Sequence, residues 1–175
     1  MFELLFPFFL IFLLFLVLAI IWRKNARKYI TSSTVASAYD AWTQDKLLER
    51  LWGEHIHLGF YPSGGEDIDF RKAKVQFVHE LVTWSGLDKL PKGSRVLDVG
   101  CGIGGSSRIL AEYYGFNVTG ITISKAQAKR ARELTPHGLN CNFQVMDALD
   151  LKFEDGSFDA VWSVEAGAHL SLIHI

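Results

Sequence analysis

Val96–Gly105, VLDVGCGIGG, is the stretch whose reading decides the fold. Val96, Leu97 and Val99 make the short apolar run of a buried parallel strand. Gly100, Gly102, Gly104 and Gly105 then let the backbone turn tightly and approach a ligand closely. SSRILAEYY follows as a helix whose N-terminus points at the same spot. Asp98 is the odd residue, a carboxylate near the end of an apolar strand, which is costly to bury unless it is paired. A ligand that is cationic, or rich in N–H and O–H groups, would supply the pairing.

Gly100, Gly102 and Gly105 also fit the G-x-G-x-x-G dinucleotide fingerprint. Two features argue against a nicotinamide cofactor. Asp98 would sit near an anionic pyrophosphate, and the acid expected about 20 residues on is missing from VTGITIS. D-x-G-C-G-x-G, from Asp98 to Gly104, instead resembles the first motif of the class I S-adenosylmethionine-dependent methyltransferases. The resemblance implies that the acid bonds the ammonium side of the cofactor and that the glycines pass beneath its methionine and ribose.

The 175 residues suffice for one domain with a sizeable core. A net charge of −1 gives no pull toward nucleic acid. Cys101 and Cys141 have no metal-ligand spacing, so no metal is expected, and both read as small core or turn residues in a reducing compartment. The N-terminus differs from the rest. Leu4 to Trp22 carries no charge, and at about 1.5 Å per residue it spans roughly 28 Å, close to the thickness of a hydrocarbon core. Arg23, Lys24, Arg27 and Lys28 follow at once, a positive flank that places the rest of the chain on the cytoplasmic side. A cleaved signal peptide would carry its charges before the apolar run and end in small residues, whereas this run ends in AIIW. The expected organisation is an anchor over 1–22, a basic segment and helical cap over 23–90, and a Rossmann-like domain over 91–175.

Within the cap, Val35, Ala38, Tyr39, Trp42, Leu47, Leu48, Leu51 and Trp52 approximate a helical stripe broken near Thr43. FRKAKVQFVHELVTWSGL predicts a further helix ended by Gly86 or by Pro91–Gly93. From Arg95 the pattern is β-α-β-α-β-β, with strands at 95–99, 117–122, 141–146 and 158–163 and helices at 105–114 and 125–134. Ser124 and Gln127 form an S-x-x-Q capping box. Alternating strands and helices imply an α/β fold with a parallel sheet wound in the Rossmann sense, the fourth strand beside the first. A strand that belongs at the centre of a sheet would then lie at its edge, which reads as a piece of a longer domain, truncated after the fourth strand. The terminal SLIHI does not read as a finished C-terminus.

Three segments together make the resemblance specific: AYDAWTQDKLLERLWGEHIHLGFYP, VLDVGCGIGGSSRILAEYYGFNVTGITIS and FEDGSFDAVWSVEAGAH. They resemble the tocopherol-pathway methyltransferases, over about residues 30–169, and depart after His169, where the family begins a helix and this chain reads LSLIHI. The resemblance implies S-adenosylmethionine as cofactor and C-methylation of a prenylated benzoquinol drawn from the bilayer, with membrane lipids as surroundings and no nucleic acid. Other lipid-like acceptors (a sterol, a fatty acyl chain or a phosphobase) and a non-catalytic tethered cofactor-binding module are the alternatives.

Carried over by position, Asp98, Gly100 and Gly102 hold the methionine end, with Cys101 between them. Thr122 and Ile123 stand where the usual ribose acid would be, and Gln127 could add ribose contacts. Asp147 and Ala148 match the adenine-edge position. Ser163 and Glu165 end the fourth strand at the crevice. His169, His57, His55 and Glu165 are candidates to accept the phenolic proton, and Tyr39, Trp42, Trp52 and Tyr61 to form an aromatic lid.

Overall fold

The computed structural model describes residues 13–18, 32–62 and 68–167. The chain divides into two compact units, 1–30 and 31–175. In the first, residues 13–18 are helical. No helix among the described residues is long and apolar enough to cross a membrane, and most of the expected anchor at 1–22 lies outside them.

The second unit holds α1 (Ser32–Gln44), α2 (Leu47–Trp52), α3 (Phe70–Ser85), β1 (Arg95–Val99), α4 (Gly105–Tyr114), β2 (Asn117–Thr122), α5 (Lys125–Leu134), β3 (Cys141–Val145) and β4 (Ala160–Trp162). The four strands form one parallel sheet in the order β3-β2-β1-β4, as the alternation predicts. β3 and β4 are shorter than expected. The break in the cap comes later than Thr43, whose hydroxyl stays within α1 and donates to Tyr39 O at 2.8 Å. It falls at Asp45–Lys46, where the Asp45 carboxylate accepts the Leu47 N–H at 2.9 Å and Lys46 turns left-handed at φ 55°.

β1 is buried on both faces, as a central parallel strand must be. Val96 and Asp98 point to one face, Leu97 and Val99 to the other. On the first face, Val96, Val118 and Trp162 pack with Val78 and Val82 of α3 and with Ile109, Leu110 and Ala111 of α4. The i, i+4 spacing of Lys74, Val78 and Val82 gives α3 its buried stripe, each valine contributing about 1.5–3 kcal/mol by burial. Asp69 starts α3 by accepting the N–H groups of Arg71 and Lys72, and Gly86 ends it at φ 72°. On the second face, Leu97, Val99 and Ile121 are covered by Met146, Ala148, Phe153 and Phe158.

Candidate functional site

The glycine turn after β1 is fixed from the side of β2. The N–H groups of Gly100 and Cys101 both donate to Ile121 O, at 2.9 and 3.0 Å, and Gly104 N–H donates back to Cys101 O at 2.9 Å. Gly100 lies so close to Ala166 that a Cβ would overlap it. Gly102, left-handed at φ 55°, faces open space: a Cβ there would meet nothing within 4 Å. The turn therefore presents bare backbone to a crevice at the C-terminal ends of the strands, the ligand-binding side of an open α/β sheet. Asp98 lies just below it. It is 2 % exposed, and Ser107 Oγ donates to its Oδ2 at 2.5 Å. Its other oxygen has no donor among the described residues. Burial pushes its carboxyl up to about 6, against the opposing effect of the Ser107 hydrogen bond. Cys101 is buried, and burial first, then Asp98, raises its thiol well above the ordinary range.

Residues 40–58 run across this edge as a strap, tied down at successive points. The Asp40 carboxylate accepts from Ser124 Oγ at 2.5 Å and from Ala126 N–H at 2.9 Å. Glu49 receives Arg130 in a two-pronged ion pair at 2.9 and 2.6 Å, which lowers the glutamate's pKa. Glu54 pairs with the buried guanidinium of Arg108 at 2.5 Å, and Arg108 also donates to Ile103 O at 2.8 Å. Lys74, nearly buried, donates to Trp52 O at 3.1 Å and to His55 O at 2.8 Å. Leu58 N–H donates to Glu165 Oε1 at 3.1 Å, a carboxylate set on a left-handed residue at φ 54°. In chain order these ties reach α5 after β2, then α3 and α4, and finally the segment after β4.

The two histidines of the strap are committed within it. His57 Nδ1 lies 2.7 Å from Leu58 O, which can only accept, so Nδ1 carries the proton. Its Nε2 is then an acceptor and takes the Nδ1–H of His55 at 3.1 Å. Both pKa values are lowered, chiefly by burial. His55 falls to about 3, with His57, Arg108 and Lys74 adding repulsion, while the Leu58 bond and Glu165 oppose the fall at His57. His57, a candidate proton acceptor on sequence, thus has both ring nitrogens engaged. His55 lies over the turn, its Cε1 where a Cβ on Gly105 would come within 2.7 Å. His169 lies outside the described residues.

At the end of β2, Thr122 Oγ1 donates to Gln127 Oε1 at 2.7 Å and accepts Ser124 N–H at 3.2 Å. This corrects the capping box. Ser124 Oγ does accept Gln127 N–H at 3.0 Å, but the Gln127 side chain turns to Thr122 instead of to the Ser124 N–H. Ile123 is half-buried beside them. After β3, Asp147 accepts the Leu149 N–H at 2.9 Å in a tight turn, and Ala148 packs under Leu97 and Ile121. Ser163 Oγ donates to Val99 O at 3.1 Å, joining the ends of β4 and β1. In the expected lid, Tyr39 and Trp42 meet edge to face at 5.4 Å, while Trp52 lies near Phe70 at 6.3 Å and Tyr61 is exposed.

Residues 96–174 match the sequence profile of the family described as methyltransferase domain. A 2-methyl-6-phytyl-1,4-hydroquinone methyltransferase from Synechocystis is 61 % identical over 146 residues, which are 83 % of this chain and 46 % of the relative. The chain is similar in sequence to the tocopherol-pathway methyltransferases. A chloroplastic tocopherol O-methyltransferase from Arabidopsis thaliana is 43 % identical over 71 % of this chain and 38 % of its own length. The chain thus spans less than half the length of either. Among solved structures, a putative sarcosine dimethylglycine methyltransferase from Galdieria sulphuraria superposes with a TM-score of 0.63 at 28 % identity, covering 71 % of this chain and 48 % of that one. A magnesium protoporphyrin IX methyltransferase from Synechocystis, solved with S-adenosylmethionine bound, gives 0.58 at 26 % identity, over 79 % and 63 %. The fold is the Rossmann-like fold of class I methyltransferases.

Sequence reasoning singled out the turn, the β2 end and the histidines of the strap. It missed Asp40, Glu54, Arg108 and Lys74. Arg108 carried a signal, as the lone cation in the otherwise uncharged start of α4, SSRIL, on a helix that must bury one face. The partners of the others lie tens of residues away, and nothing local marks them.

Proposed function

We propose that the chain binds S-adenosylmethionine in the crevice over the glycine turn and serves C-methylation of a prenylated benzoquinol. The observation that carries this reading is the 61 % identity to a 2-methyl-6-phytyl-1,4-hydroquinone methyltransferase, across a segment that includes the turn and the strap. The buried Asp98, short of a cationic partner, and the bare backbone at Gly102 suit a ligand with an ammonium group and close backbone contact. When bound, the cofactor supplies an activated methyl group on a sulfonium. Asp98 accepts from the ammonium group and fixes the methionine end. The strap and the Ser163–Val99 bond hold the rim, so that the acceptor ring is positioned in line, an orientation effect. His169, four residues after Glu165 in sequence, is assigned to accept the phenolic proton and so raise the nucleophilicity of the ring.

The same reading makes Leu4–Trp22 a membrane anchor, with the basic flank on the cytoplasmic side, so that a bilayer-dissolved quinol reaches the site laterally. A reporter fused after residue 30 should then be active only in the cytoplasm, and a signal from the opposite side would refute the topology. For the reaction, the chain in vesicles is given methyl-labelled S-adenosylmethionine and 2-methyl-6-phytyl-1,4-hydroquinone. Label on a ring carbon supports the reading, whereas label only on a hydroxyl or on another lipid overturns it. His169→Ala should slow the transfer about 10²–10⁴-fold at nearly constant cofactor affinity.

A further inference from the structure

β2 enters the crevice without the acid that a ribose-binding strand end of this architecture carries. Thr122, which stands there, donates its hydroxyl to Gln127. A carboxylate nevertheless reaches this end from another element. Asp40, on α1, receives Ser124 Oγ at 2.5 Å and Ala126 N–H at 2.9 Å, both on its Oδ1. Its Oδ2 has no donor among the described residues. Ser124 lies just beyond the last residue of β2, and Ala126 is in the first turn of α5. This strand end and the glycine turn form one continuous surface, because Gly100 and Cys101 are hydrogen-bonded to Ile121 O, next to Thr122.

We infer that Asp40 supplies the acceptor for the ribose hydroxyls that β2 lacks, so that the N-terminal helix completes the cofactor crevice. The inference rests on the S-adenosylmethionine reading given above. A vicinal diol offers two O–H donors, and a carboxylate is the strongest common acceptor for them. With Oδ1 held by two donors, the carboxylate is already oriented, so Oδ2 meets the ligand with little further ordering. Glu49, farther along the same segment, clamps α5 through Arg130 and keeps α1 and α5 together.

A purely structural Asp40 would only cap α5, and the ligand can tell the two roles apart. The full chain is titrated calorimetrically with S-adenosylhomocysteine and with its 2′,3′-dideoxyribose analogue. Asp40→Asn keeps a capping oxygen but removes the charge. It should weaken S-adenosylhomocysteine about 10- to 100-fold, the loss of a charge-assisted hydrogen bond, and leave the dideoxy analogue bound as in the wild type. Asp40→Gln, an uncharged side chain long enough to reach Ser124 and Ala126, repeats the comparison if the first variant is poorly folded in a thermal melt. Equal losses for both ligands, or no loss for either, overturn the inference. A wild-type chain that binds neither ligand overturns the cofactor reading instead.

Discussion

Asp98 is held at a cost that its function explains. Its carboxyl titrates near 6 in the folded chain, against the ordinary 3.8, because it is buried with one hydroxyl donor. A carboxyl raised on folding binds its proton more tightly in the folded state, so its penalty is absent below about pH 4 and complete above about pH 6. Asp98→Asn should therefore raise stability at pH 7.5 by up to roughly 3 kcal/mol, and denaturant melts from pH 4 to 8 should show the gain fading toward acid. The same change should abolish cofactor binding, since the ammonium loses its anion. In the wild type, affinity for S-adenosylhomocysteine should weaken by up to about tenfold per pH unit below 6 and level off above it. A flat calorimetric pH profile would mean that the ligand does not bond the ionised Asp98. This residue was legible in sequence because an acid within an apolar strand is an anomaly without any knowledge of its neighbours. Asp40 was not legible, because its meaning depends on Ser124 and Ala126, more than 80 positions away.

The strap carries the end of α1 and the whole of α2, then runs from Gly53 to Leu58 without regular structure, and its fit over the turn can be tested through two glycines. A Cβ on Gly105 would come within 2.7 Å of His55 Cε1 and 2.8 Å of Glu54 O, the second a backbone atom that cannot swing aside. Gly105→Ala should cost about 1–3 kcal/mol of stability and lift the strap, seen as new proteolytic cleavage between Trp52 and Leu58. Gly102→Ala meets no atom, so its cost is the left-handed backbone alone, about 1–2 kcal/mol, and the strap should stay protected. Its methyl group projects into the crevice, and cofactor affinity should fall. If both variants gave the same cleavage pattern, the strap would not be seated on Gly105. The helices and strands of the sheet were readable to within a residue or two, because apolar periodicity and glycine breaks are local. Of the strap, the stretch up to Trp52 was readable as a helical stripe and His55 and His57 as candidate proton acceptors, but not what holds them in place. It is ordered by Arg108 and Arg130 through ion pairs and by Lys74 and Glu165 through hydrogen bonds to its backbone, and such long-range contacts leave no periodic trace in sequence.

For the whole molecule, the parallel order β3-β2-β1-β4 followed from strand–helix alternation, and its consequence lies in how unevenly the two faces are covered. α3 and α4 pack on the face of Val96 and Trp162, whereas among the described residues Leu97, Val99 and Ile121 are covered by the segment from Met146 to Phe158. Val161, paired in register with Leu97, points to that second face and is 68 % exposed. It sits on a three-residue strand whose only neighbour among the described residues is β1. Among the described residues the outer N–H and C=O groups of β4 have no strand partner, and an apolar, half-paired edge of this kind is a template for a second copy. The 175-residue chain should therefore associate as its concentration rises, detected by light scattering. Val161→Lys, which places a solvated charge on the edge, should suppress that association. It should change the free energy of unfolding by no more than about 0.5 kcal/mol, because an exposed side chain has little burial to lose. Association undiminished by the lysine would assign it to another surface, such as the exposed Leu47, Leu51 and Trp52 of α2. Loss of stability with the lysine would instead show that Val161 is buried in solution, and that the edge is covered even in the isolated chain.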